Sequence, residues 1–150
     1  MQVEELGHLV LYVSDVERSA AFYGDLLGWK PVFEPAPGMP VAAFSSGRTH
    51  HELLLIEVGA GAAAPPAGRR LGLYHFGLKV GESDDELREA VSRLKDAGVT
   101  IVGASDHTVT HSVYVLDPDG NEVELYVDMP GVDWRSDPAL VLAPIRPLTL

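Results

Sequence analysis

The sequence predicts an α+β fold made of two successive βαβββ modules. Three observations lead to it. Stretches rich in β-formers and helical stretches follow one another in the order strand-helix-strand-strand-strand, and the order then repeats. His8 and His75 fall at matching places on the first strand of each copy. Gly28 and Gly98 stand where the helix of each copy should end. A module of this kind cannot bury both faces of its own sheet. The two sheets are therefore expected to curl around a shared cleft.

The elements follow in order. ELGHLVLYV, residues 5 to 13, alternates and reads as a strand. Ser14 and Glu17 have capping-box spacing and open a helix in SDVERSAAFYGDLLG, with Gly28 as its stop. WKPVFEP, PVAAFSS and HELLLIEV are three short runs separated by Gly and Pro, as in an antiparallel meander. Residues 59 to 72 are small and Pro-containing without periodicity, so they are taken as the linker. LYHFGLKV begins the second module. A second capping box, Ser83 with Glu86, opens SDDELREAVSRLKDAG, whose Leu87, Ala90, Val91 and Leu94 line one face. VTIVGA, HSVYVLD and NEVELYV complete it, the last two joined by a type I turn at Asp117-Pro118-Asp119-Gly120. The whole is expected to be one domain over 1–150, with module 1 at about 5–58, module 2 at about 73–127 and a tail at 128–150. The tail holds four prolines and no helical period. It is left to wrap the fold, cover the cleft or reach a partner subunit, and Trp134 and Arg135 either touch ligand or simply pack.

Composition narrows the function classes. The formal net charge is −11, a field that repels phosphate backbones and anionic lipid heads, so nucleic acid and membrane are excluded as partners. No apolar run approaches the ~18 residues of a membrane span. MQVEEL lacks the features of a secretory signal, and a cytoplasmic protein is expected. There is no cysteine, so thiol catalysis and thiolate metal sites are ruled out. Any transition-metal site must use His, carboxylate or water.

Such a site is suggested. If residues 117 to 120 form the turn, Tyr114 lies almost opposite Glu124, and Glu122, Glu124 and Tyr126 share its face. A buried carboxylate there is costly unless it is paired or ligates a metal. Two histidines at equivalent points of a repeat, plus Glu124 near the end of the last strand, can fill three adjacent coordination positions and leave the rest open. That suits non-haem Fe(II) or a similar divalent ion.

The stretches GHLVLYVSDVERSAAFYGDLLGW, LYHFGLKV and VYVLDPDGNEVELY resemble the vicinal oxygen chelate superfamily, which includes glyoxalase I, bleomycin-resistance proteins and extradiol dioxygenases. The resemblance implies that the mixed sheets curl into a half-barrel around a metal cleft, with His8, His75 and Glu124 as metal ligands. His107, Val113-Tyr114, the Asp117–Gly120 turn and Glu124 are most similar to the extradiol branch. His111 competes with His107, but in a regular strand it points away from Tyr114. The branch implies a catalytic histidine on the fourth strand of the first module. His51 takes that role and His50 is assigned to solvent. In the glyoxalase I branch the same strand supplies a fourth ligand. The match places Leu55 there, with Glu57 two residues later.

The implied activity is ring cleavage of a catechol-like aromatic diol by O2, with Fe(II), or Mn(II) or another divalent metal, as cofactor. His51 serves as base, while His107 and Tyr114 hydrogen-bond substrate oxygens. Leu53, Leu55, Phe44 and Val113 either hold the aromatic ring or form plain core. The resemblance also implies a homodimer or higher homo-oligomer. The alternatives are another metal-dependent member of the superfamily, such as a glyoxalase-type lyase or isomerase, and a non-catalytic protein that binds an aromatic drug.

Overall fold

Alternating burial along LVLYV makes strand β1 (Leu9–Val13): Leu11 and Val13 are buried, while Val10 and Tyr12 are exposed. His8 stands immediately before it. The computed structural model describes residues 1–34, 36, 38–66 and 68–150. They divide into two units, Met1–Pro65 and Pro66–Leu150. Among the described residues no helix is long and apolar enough to cross a membrane.

In the first unit β1 leads into helix α1 (Val16–Ala20), which continues as a π-helical turn over Ala21–Leu26. Strands β2 (Val41–Phe44) and β3 (Leu53–Glu57) follow. The sheet order is β1-β3-β2, with β1 parallel and β2 antiparallel to β3. The parallel register sets Leu11 beside Leu55. Helix α1 packs on β3 and β2, and Val16, Phe22 and Tyr23 are buried with Leu53, Leu55 and Phe44.

Two local expectations are corrected here. The first-helix cap lies one residue later than Ser14: Asp15 accepts from Arg18 N at 2.9 Å, and Ser14 Oγ accepts from the Arg18 guanidinium instead. The strand expected at WKPVFEP is reduced to a single bridge between Pro31 and Phe44. Pro31 has no N–H with which to extend a ladder, and Pro35 lies outside the described residues. The first unit is thus βαββ among the described residues.

The second unit follows the expected order: β4 (His75–Gly81), α2 (Asp84–Asp96), β5 (Ile101–Asp106), β6 (Thr110–Leu116) and β7 (Glu122–Asp128). A 3₁₀ turn (Pro138–Leu142) and a short β8 (Arg146–Pro147) complete it. The sheet order is β4-β7-β6-β5-β8, and only the β4–β7 pairing is parallel. The tail therefore has a defined place, returning to pair Arg146 with Asp106 on β5.

Helix α2 forms as its caps dictate. Ser83 Oγ accepts from Glu86 N, and Glu86 Oε2 accepts from Glu82 N at 2.7 Å. At the other end Gly98 has φ 71°, with Val99 N bonded to Leu94 O and Gly98 N to Lys95 O, a Schellman stop. Leu87 and Leu94 are fully buried, and α2 packs on β4, β6 and β7.

Gly81 allows the close approach of β4 to this cap. A Cβ there would lie 2.8 Å from Glu86 Cβ and Cδ. Gly81→Ala is expected to destabilise the fold by about 1–3 kcal/mol, as overpacking does. A denaturant midpoint unchanged from wild type would refute this.

Candidate functional site

The β6–β7 hairpin sets up the site in the second unit. Asp117 is buried at its turn, where Oδ1 accepts from Asp119 N and Asn121 N, and Gly120 N donates to Asp117 O. This turn fixes the register, and Tyr114 pairs directly with Glu124 as the sequence predicts. Val113, Val115, Val123 and Leu125 are buried on one face of the hairpin. Tyr114, Glu122, Glu124 and Tyr126 share the other and are only partly buried.

Strand β4 runs parallel beside β7, pairing His75 with Glu122 and Gly77 with Glu124. His75 Nε2 lies 3.3 Å from Glu124 Oε2, and its Nδ1 lies 3.5 Å from Glu122 Oε1. Gly77 leaves room for the carboxylate, since a Cβ there would stand 3.5 Å from Glu124 Oε2 and 3.3 Å from the Tyr126 ring.

The Tyr114 hydroxyl donates to Glu124 Oε1 at 3.3 Å, and His107 Nε2 lies 2.6 Å from the same phenol oxygen. With its single proton directed to Glu124, the phenol receives the His107 Nε2 proton. Ser105 hydrogen-bonds the phenol as well. Burial, followed by the charge of Glu124, pushes the Tyr114 hydroxyl up to about 12, so it is a neutral donor near pH 7. His107 is aimed by a tight turn in which Thr108 takes φ 71°, uncommon for a β-branched residue. Asp106 Oδ1 fixes that turn by accepting from Thr108 N at 2.7 Å.

His111 is turned away from this group. It pairs with Val127, and its Nδ1 lies 2.7 Å from Asp84 Oδ1 at the start of α2. Asp106 bonds Thr108 N, pairs with Arg146 at 3.0 Å and stands 3.8 Å from His111 Nε2. The Thr108 N–H foremost, then Arg146, holds the Asp106 carboxyl below its usual range. A depressed carboxyl stabilises the fold above its unfolded pKa of about 3.9, and that stabilisation is lost as pH falls through the lower folded value. Asp106→Asn is therefore expected to make the acid limb of Tm against pH shallower below about pH 4. An acid limb as steep as that of wild type would contradict this assignment.

In the first unit three imidazoles gather. The His8 ring lies 4.5 Å from His51 and 6.2 Å from His50. His50 is exposed, as expected, but it is not a free solvent residue: its Nδ1 lies 2.6 Å from His51 Nδ1. Burial, then His50 and His8, holds His51 below the usual histidine range, which favours the neutral ring. Glu57 is committed elsewhere, accepting from Val16 N at the start of α1 at 3.0 Å.

Leu53, Leu55, Phe44 and Val113, which had two readings, are all buried core. Arg135 stacks on the Trp134 ring at 4.4 Å. The predicted residues thus form two groups: His75, Glu124, Tyr114 and His107 in the second unit, and His8 with His51 in the first. Among the described residues no group of three or more His, Asp or Glu side chains is gathered to hold a metal ion. The sequence reading overlooked the contacts of Glu122 with His75 and of Ser105 with Tyr114. The signal for Glu122 was its shared face with Glu124, two residues on.

Comparison with known proteins fits this picture. The family model of the Glyoxalase/Bleomycin resistance protein/Dioxygenase superfamily matches residues 5–125. The chain is 33% identical over 132 residues to a catechol-2,3-dioxygenase of Bacillus subtilis, covering 88% of this chain but 44% of that protein. It is 34% identical over 125 residues to glutathione transferase FosA of Serratia marcescens, covering 83% of this chain and 82% of that one. A crystal structure of a glyoxalase/dioxygenase from Nostoc punctiforme shares the fold, with a TM-score of 0.66 at 22% identity over 84% of this chain and 92% of that one. With the family model matched over residues 5–125 and a relative 34% identical over most of both chains, the chain belongs to the glyoxalase/bleomycin resistance protein/dioxygenase superfamily.

Proposed function

We propose that the chain is a metal-dependent extradiol dioxygenase that opens the ring of a catechol-like diol with O2. His8, His75 and Glu124 are its proposed metal ligands, His51 its base, and His107 and Tyr114 its donors to substrate oxygen. One observation carries the reading: His75 Nε2 and Glu124 Oε2 face each other at 3.3 Å, and Tyr114 reaches Glu124 from the same face. Two donors at right angles on bonds of about 2.1 Å stand about 3 Å apart, so this pair fits neighbouring positions on one cation. Imidazole and carboxylate donors without thiolate suit Fe(II), our first assignment, or Mn(II).

When bound, Fe(II) would acidify a ligating diol and supply the one-electron chemistry that O2 requires. The protein's own groups do the rest. His51, held neutral by burial and by its neighbours, is free to take a proton from the diol. Tyr114 stays protonated and can turn its O–H to a substrate oxygen. His107 Nε2, 2.6 Å from the phenol oxygen, can turn its proton to a substrate oxygen when Tyr114 swings toward the diol. Both atoms of O2 enter a muconic semialdehyde-like product, so no further reductant is needed.

The identity to the Bacillus dioxygenase supports this reading, as does the use of Glu57 by the first turn of α1 rather than as an added ligand. The near-equal length match to the Serratia protein favours a second reading, a metal-dependent transferase of the same superfamily. The two separate on anaerobic Fe(II) loading followed by a catechol panel. Oxygen uptake with growth of a semialdehyde absorbance is expected. Without oxygen uptake on the panel, consumption of glutathione together with a separately added electrophile would move the assignment to the second.

A further inference from the structure

His75 Nδ1 is shut off from solvent and has no hydrogen-bond partner among the described residues. A buried ring nitrogen in that condition normally marks a missing interaction. Glu122 stands at that nitrogen, with Oε1 3.5 Å away, and the parallel register makes the two residues direct cross-strand neighbours. The imidazole is thus bracketed, with Glu124 at Nε2 and Glu122 at Nδ1. Tyr74 stands beside the same pair: its ring lies 4.5 Å from that of His75, and the Glu122 carboxylate raises its hydroxyl above the usual range.

We propose that Glu122 is the positioning carboxylate of His75: it accepts the Nδ1 proton, so that Nε2 presents its lone pair to the cation. This rests on the reading of His75 as a metal ligand. A neutral imidazole carries one proton, and the ligating nitrogen cannot be the one that holds it. The proton must then sit on Nδ1, where the fold has placed a carboxylate. A separation of 3.5 Å is longer than a hydrogen bond, and a small rotation of the ring or the carboxylate closes it. The resulting carboxylate–histidine–metal arrangement fixes the tautomer, orients the ring and raises the basicity of the ligand.

The test uses the 150-residue chain loaded with Zn(II), alongside Glu122→Leu, Glu122→Gln and His75→Ala. Zn(II) affinity is measured by competition with a chromophoric chelator. The His75 ring nitrogens are read by ¹H–¹⁵N NMR of the loaded protein. Wild type is expected to show a slowly exchanging Nδ1–H. Glu122→Leu should lose that signal and about 10–100-fold in affinity, the usual cost of removing an outer partner. Glu122→Gln, which keeps an acceptor, should recover most of both. If wild type binds and His75→Ala does not, but Glu122→Leu keeps both affinity and Nδ1–H, the role of Glu122 is wrong and the ligand assignment survives. If wild type binds no Zn(II), or binds it regardless of His75, both ideas fall together.

Discussion

Oxygen uptake with a catechol is expected to disappear when His75 is replaced by alanine, a loss of more than about 10³-fold in kcat/KM. A catalytic cation contributes several kcal/mol, and each decade of rate is about 1.4 kcal/mol. The structure explains why this residue should matter so much. His75 stands between two carboxylates, 3.3 Å from Glu124 and 3.5 Å from Glu122. Alanine would leave both on the same face of β7 without the imidazole that separates them. The substitution removes no fully buried core residue, so the fold should persist. Metal content, circular dichroism and an oxygen electrode together check the result: folded, metal-poor and inactive. An active, metal-replete variant would remove His75 from the site.

His51→Phe is expected to lower kcat by about 10²–10⁴-fold, the range for loss of a general acid–base, while keeping the metal. Phenylalanine preserves a ring against His8, which lies 4.5 Å away between centroids, so any effect through packing is kept small. What it removes is a neutral nitrogen, which burial and the neighbouring His50 and His8 maintain. Steady-state oxygen uptake and iron content per chain decide the matter. Unchanged kcat would mean that His51 is no base, and loss of iron would mean that it acts by holding His8.

Local interactions made much of this protein legible from its residues. The Asp117–Gly120 turn fixes a hairpin, and from it follow the Tyr114–Glu124 pairing and the turn of His111 onto the opposite face, toward α2. The Ser83–Glu86 cap and the Gly98 stop bound α2, because each involves atoms only a few residues apart. The failures lie where distant segments decide. The run WKPVFEP keeps only the bridge from Pro31 to Phe44, a partner that its own spacing does not reveal. Glu57 was drawn to Val16, 41 residues away, which no spacing rule reveals. The contact of Glu122 with His75 depends on the parallel β4–β7 register, which is set by packing across the sheet and not by a turn.

The most direct test of the proposed ligand set is an anaerobic Co(II) titration of wild type, His8→Ala, His75→Ala and Glu124→Ala. One equivalent per chain is expected, and each substitution should weaken it beyond the ~10–100-fold cost of losing an outer partner. If His8→Ala binds cobalt as tightly as wild type, three side chains do not share one cation, and the oxygen chemistry loses its foundation.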